Sequence, residues 1–163
     1  MFFRHPSTIG LDIGDLSVKM VTLAKHGRGF VLDQWVEAAL PPGLVVSGEI
    51  KDQRALVLAI KTTVKTQRLG ATSAVTALPE AKTFTKIIRV DAEPALEDNV
   101  RLELPKHIPY ALDQVVVDWA LVHQENLHNL VLVGAAPKDL AQQYVQTLSA
   151  AGLLAEALDL ETL

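Results

Sequence analysis

The residues best placed to do chemistry lie in the stretch TIGLDIGDLSVKMVTL, Thr8 to Leu23. Two apolar, alternating runs flank Gly14-Asp15-Leu16-Ser17, with Asp12 near the end of the first run and Lys19 shortly after the turn. A phosphate needs several backbone N–H donors pointing one way and small residues that let it approach. It also needs a nearby carboxylate to hold magnesium through water. Asp12, Gly14, Ser17 and Lys19 are residues of that kind, with Asp12 as the magnesium residue. The same pattern also describes an ordinary Gly-Asp surface hairpin. Spacing alone leaves both readings open.

Other chemistry is harder to find. His5, His26, His107, His123 and His128 are scattered, without the short spacing of zinc ligands. His123 and His128 are expected to face each other across a hairpin, and otherwise the histidines read as surface residues. Glu97, Asp98 and Arg101 look like a solvated helix face, and Asp159 and Glu161 flank Leu160 near a strand end. No Gly-x-Ser-x-Gly, P-loop or nucleophile–base pattern is present, so no catalytic residue is assigned. In RLELPKHIPYALDQVVVDWAL, the apolar residues Leu104, Ile108, Tyr110 and Leu112 lie beside two prolines. They read equally as a groove edge or as a small core.

These residues need elements to position them. Thr8 to Gly14, Val18 to Lys25 and Phe30 to Leu40 read as three strands of an antiparallel meander. PPGLVVSGEI reads as irregular. Asp52 is a good N-cap for a helix carrying Leu56, Ala59, Ile60, Thr63 and Val64, with Gly70 as its stop. Thr72 to Leu78 follows as an apolar strand. After Pro79 the rhythm changes. Lys82 to Val90 is a strand, and Glu93 to Ile108 is mostly helical with Val100, Leu102 and Leu104 as contacts. Pro105 is expected to end or kink that helix. Gln114 to Gln124 and His128 to Ala136 form a hairpin. Pro137 to Ala151 is a helix with Leu140, Tyr144, Val145 and Leu148 on one face, and Leu153 to Leu160 is a last strand.

Composition bounds the function. The 163 residues suit one domain or two small lobes, and 49% are apolar, enough for a packed core. The net charge of −4 and the lack of a basic stripe argue against nucleic-acid binding. There are no cysteines, which excludes disulfides and cysteine metal sites. The opening MFFRHPST lacks the long apolar run of a signal peptide, and no window approaches the ~20 apolar residues of a membrane span. The expectation is a cytoplasmic chain.

The strand-strand-strand-helix-strand order opening on IGLDIGDLSVK resembles the actin-like ATPase superfamily, whose lobes have a ribonuclease-H-like fold. More narrowly, four stretches in order resemble the PilM family of type IV pilus assembly proteins: IGLDIG with SVKMVTL, LPPGLVVSGEIKDQRAL, RLELPKHIPYALDQVVVDWAL and LVGAAPKDLAQQYVQTLSAAGLLAEALDLETL. The resemblance implies a mixed α/β lobe, with residues 1–79 and 137–163 as the main subdomain. Residues 80–136 would form an inserted strand-helix-strand-strand subdomain. It also implies a scaffold under the inner membrane that binds the N-terminal cytoplasmic tail of the membrane protein PilN, alongside other pilus assembly proteins and self-association. Membrane contact is expected only through PilN. The tail would dock between the two subdomains, with Leu104, Ile108, Tyr110 and Leu112 in contact.

The family also implies ATP with magnesium in a full-length protein, whose second phosphate hairpin and adenine pocket have no counterpart here. This chain alone is therefore expected to need no cofactor and to have no enzymatic activity. One departure stands inside the motif: where the family has small hydroxyl residues after Asp-Ile-Gly, this sequence has Asp15 and Leu16. Two unit charges at ~4 Å and an effective dielectric of ~20 repel by about 4 kcal/mol, so Asp15 is expected to oppose a phosphate. Rival readings are an FtsA-like division protein, a fragment of an actin-fold ATPase or kinase, and the cytoplasmic part of a type II secretion protein.

Overall fold

The computed structural model describes residues 7–93, 95–124 and 126–161, which fall into two compact units. Residues 82–141 form the second unit, and the residues on either side form the first.

In the first unit, β1 (Ser7–Ile13), β2 (Ser17–His26) and β3 (Gly29–Ala39) form the meander. β6 (Ala71–Leu78) and β10 (Leu154–Leu160) extend it in parallel fashion, giving the order β10-β6-β1-β2-β3. The strand period of two decides which side is buried. Ile9, Leu11, Ile13, Val18, Met20, Ala74 and Leu78 are all buried, whereas Asp12, Lys19, Val21 and Leu23 are exposed. Helix α1 (Gln53–Thr66) buries Leu56, Ile60 and Thr63 at helical spacing. Its N-cap is Asp52, whose side chain accepts the Ala55 N–H at 3.0 Å. Helix α3 (Lys138–Ala150) buries Tyr144, Thr147 and Leu148 within this unit, and Gln53 Nε2 of α1 donates to Thr147 Oγ1 at 3.2 Å. Each aliphatic side chain fully buried this way contributes about 1.5–3 kcal/mol. Val145 does not share that face; it is exposed.

The segment expected to be irregular holds a small hairpin of two-residue strands, β4 (Val45–Val46) and β5 (Glu49–Ile50). Its turn residues Ser47 and Gly48 both have positive φ, 51° and 74°. A Cβ on Gly48 would also collide with the Pro79 ring, so this position accepts only glycine.

In the second unit, β7 (Phe84–Asp91), β8 (Val115–Gln124) and β9 (His128–Pro137) form an antiparallel sheet of order β7-β9-β8. Helix α2 (Leu96–His107) adds Val100 and Leu104 to a core with Ile88, Val90, Val115, Val131 and Val133. Pro105 neither ends α2 nor stops it short: the helix runs on to His107. Proline falls in the last turn, where it removes a single helical bond, and Ile108 N–H still reaches Leu104 O at 3.0 Å. Leu102 is exposed, because residues two apart on a helix face away from each other. His123 and His128 do not face each other. A register shift sets His123 against Leu130, and His128 Nδ1 lies 2.9 Å from Asp91 Oδ1 on β7. Among the described residues no helix is long and apolar enough to cross a membrane.

Candidate functional site

The β1–β2 turn is built by pairing. Antiparallel register sets Asp12 opposite Lys19, and the next strand sets Lys19 opposite Glu37. Residues opposite each other on one sheet face interact, so charge alternates across three strands. Lys19 Nζ donates to Asp12 Oδ2 at 3.1 Å, and Ser17 Oγ donates to Glu37 Oε1 at 2.8 Å. The hydrogen bond and charge of Asp12, with a smaller contribution from Glu37, hold the Lys19 ammonium above its ordinary pKa. The turn is closed by Gly14 N–H to Ser17 O at 2.9 Å. Gly14 lies outside the left-handed region, and a Cβ there would make only ordinary contact with Ser17 O, at 3.4 Å. The fold alone does not demand a glycine at this position.

Asp15 has a different role from the one expected. Its carboxylate accepts two backbone N–H bonds from the β4–β5 turn, Ser47 to Oδ2 at 2.8 Å and Gly48 to Oδ1 at 3.1 Å. These bonds, the Ser47 one foremost, hold its pKa below the usual carboxylate value. Asp15 is thus a clamp between two turns, satisfied by dipoles of its own chain. On the other side of the clamp, Tyr144 Oη donates to Gly48 O at 3.1 Å. Burial, and then the charges of Glu161, Asp12 and Asp15, push the Tyr144 hydroxyl up to about 12. Glu161 in turn accepts the Glu80 N–H at 2.9 Å. Three carboxylates therefore act on one tyrosine. The sequence signals for this arrangement were Ser47-Gly48, a turn dipeptide, and a tyrosine on the apolar stripe of α3. Neither says what it will meet across the fold.

The arrangement meets part of what a nucleotide requires. Among the described residues the N–H groups of Asp15 and Leu16 have no acceptor in the chain, and Gly14 leaves room beside them. The cation Lys19 is held by Asp12 and the hydroxyl of Ser17 by Glu37, so a phosphate would have to displace both contacts. Among the described residues no group of three His, Asp or Glu side chains is placed to hold a metal. Asp12 on its own offers one carboxylate, suited to a magnesium held through water.

The second expected site separates into two parts. Leu104 and Ile108 are core residues of the second unit and present no contact surface. They continue from Val100 at intervals of four, a helical stripe that outweighs the neighbouring prolines. Tyr110 and Leu112 are 41% and 38% exposed, on the segment that follows α2. The backbone there is extended at Ile108, as expected before Pro109, and again at Ala111.

A sequence model of the family described as type IV pilus assembly protein PilM matches residues 10–163. A solved PilM–PilN type IV pilus biogenesis complex superposes at a TM-score of 0.83 and 29% identity, over 95% of this chain and 47% of that one. The chain thus spans about half the length of that relative. The cytoplasmic domain of EpsL, an inner-membrane component of the Vibrio cholerae type II secretion system, shares the fold at a TM-score of 0.55. It is 11% identical over 94% of this chain and 57% of that one. The mixed α/β sheet matches the actin-like PilM fold, and the chain belongs to the family of type IV pilus assembly protein PilM.

Proposed function

We propose that this chain serves type IV pilus assembly as a scaffold that binds the N-terminal cytoplasmic tail of PilN. The observation that carries this reading is the likeness to the PilM–PilN complex along nearly the whole chain. In the second unit, Tyr110 and Leu112 are the contact residues, because they are apolar, half-exposed and flank Ala111, whose backbone is extended. An aromatic ring with a polar tip suits a half-wet groove. This tethering places the protein at the cytoplasmic face of the inner membrane.

A labelled peptide of the PilN tail, followed by fluorescence anisotropy, tests the reading. Tyr110→Ala is expected to weaken binding by roughly 1–2 kcal/mol while leaving unfolding stability within about 0.5 kcal/mol. Ile108→Ala is expected to do the reverse, lowering stability by about 2–5 kcal/mol as a core truncation. A peptide that fails to bind the wild-type chain removes the function. Unchanged affinity in Tyr110→Ala removes that residue from the contact.

The β1–β2 hairpin serves this scaffold as a partial phosphate site, on the strength of a glycine the fold does not require and two unpaired N–H groups beside it. The chain alone binds ATP weakly and does not hydrolyse it. Calorimetry that finds micromolar ATP affinity overturns this second reading.

A further inference from the structure

The other end of β2 runs into the β2–β3 hairpin, whose tip is basic. From Met20 to Leu32 the sequence contains no Asp or Glu, while it carries Lys25, His26 and Arg28, in a protein of net charge −4. Among the described residues Lys25 and Arg28 form no ion pair. Cross-strand pairs stack large apolar side chains just behind these cations: Lys25 opposite Phe30, Leu23 opposite Leu32 and Val21 opposite Trp35. Phe30 is 70% exposed, Trp35 65% and Leu32 59%. Leaving such side chains in water has a cost, and a cluster of them rimmed by cations marks a docking surface.

We propose that the tip of the β2–β3 hairpin docks directly on an anionic lipid bilayer, with Phe30 and Leu32 entering the headgroup region and Lys25 and Arg28 meeting the lipid phosphates. Charge complementarity selects this occupant. Basic residues at a tip beside aromatic rings match an interface whose outside is anionic and whose inside is apolar. A second copy paired along the β3 edge is a poorer match, since β3 carries Asp33 and Glu37 and no Lys or Arg. Two copies would set acids beside acids. The hairpin lies in the interface and does not span it, because among the described residues the outer edge of β3 has no ladder partner and such edges are not tolerated in hydrocarbon. This contact is separate from PilN binding and holds whether or not the tail is bound.

The test is flotation of the full chain with vesicles of phosphatidylcholine, with and without phosphatidylglycerol. A Trp119→Phe background leaves Trp35 as the tryptophan that reports. The protein is expected to float with the anionic vesicles, more weakly as salt rises, with the Trp35 emission shifting to the blue. Lys25→Gln with Arg28→Gln is expected to reduce partitioning about thirty-fold, from the usual worth of each cation near an anionic surface. Phe30→Ser with Leu32→Asn is expected to abolish the blue shift, and both double variants stay folded because all four positions are exposed. Flotation that ignores phosphatidylglycerol, or that survives both double variants, overturns the proposal. So does a blue shift that depends on protein concentration in the absence of lipid, which assigns the face to a second copy. A PilN-tail peptide bound by a chain that does not float would sink this inference and leave the scaffold reading standing.

Discussion

Strand β2 has two ends, and they solve opposite problems. At its start, polar groups answer one another: Lys19 with Asp12, Ser17 with Glu37, and Asp15 with the N–H groups of Ser47 and Gly48. At its finish, Lys25 and Arg28 have no partner among the described residues, and Phe30 and Leu32 stand in solvent. Both ends are exposed turns of one meander, so secondary structure does not separate them. What separates them is whether the rest of the unit supplies partners. The first end is braced by the β4–β5 turn and by α3, whereas at the second, among the described residues, no ion pair holds the cations and the apolar side chains stay exposed. A turn stitched into its own unit holds a shape; a turn with nothing to bond or cover it is free for something outside.

The largest effect is expected where the stitching is tightest. Gly48 combines positive φ with a Cβ position filled by the Pro79 ring. Gly48→Ala therefore brings backbone strain and overpacking together, each about 1–3 kcal/mol. A loss of roughly 3 kcal/mol is expected in urea unfolding, an appreciable part of a marginal domain's total. It is also expected to loosen the clamp on Asp15, which loses its donors as the turn shifts. A variant as stable as wild type would mean that the first end is not braced as described.

A middle-sized effect should show in the pH dependence. Folding lowers the pKa of Asp15 below its unfolded value of 3.8. A carboxylate of that kind adds stability that is complete above the unfolded pKa and disappears as pH falls through the folded one. Asp15→Asn removes that contribution, so the variant should be less stable than wild type at neutral pH. The two melting curves should converge in acid, below pH 3.8. Two parallel curves across the whole range would show that the clamp is not made through the ionised carboxylate. Asp15→Asn also removes a negative charge near Gly14. ATP affinity that stays the same would mean that the clamp already directs this charge away from an incoming phosphate.

Local pattern made much of this legible. The alternation in IGLDIG and SVKMVTL gave the meander, and Leu56, Ile60 and Thr63 gave α1, because period and burial coincide there. The family could be read because four loose motifs keep their order along the chain. What failed to show were contacts between residues far apart in sequence. Nothing near Asp15 announces Ser47 and Gly48, more than thirty positions away, so its charge was read as a free repulsive group when it is a bonded one. The apolar row at Leu104 to Leu112 misled for another reason. Groove edge and small core were equally open for the whole row, and it divides between them: Leu104 and Ile108 lie in a core, and only Tyr110 and Leu112 stand outside. The basic and apolar tip at Lys25 to Leu32 was visible as a turn, yet its exposure was not: alternation is the same whether or not a helix covers the strand.

The smallest expected effect tests the other end of β2. Phe30→Ser and Leu32→Asn remove large side chains, and in a core such changes cost about 2–5 kcal/mol. Here both residues keep most of their surface in water, so folding gains little from them and little is lost. Their unfolding stability should stay within about 0.5 kcal/mol of wild type. Met20→Ala on the same strand is the control, since Met20 is fully buried and belongs to the range of core truncations. The urea slope should be unchanged in the tip variants, because unfolding exposes nearly the same surface. Should Phe30→Ser lower stability as far as Met20→Ala does, the tip is covered by its own unit in solution, and the contrast between the two ends of β2 collapses. Neutral tip variants that also lose their hold on anionic vesicles would show side chains kept for contact and not for folding.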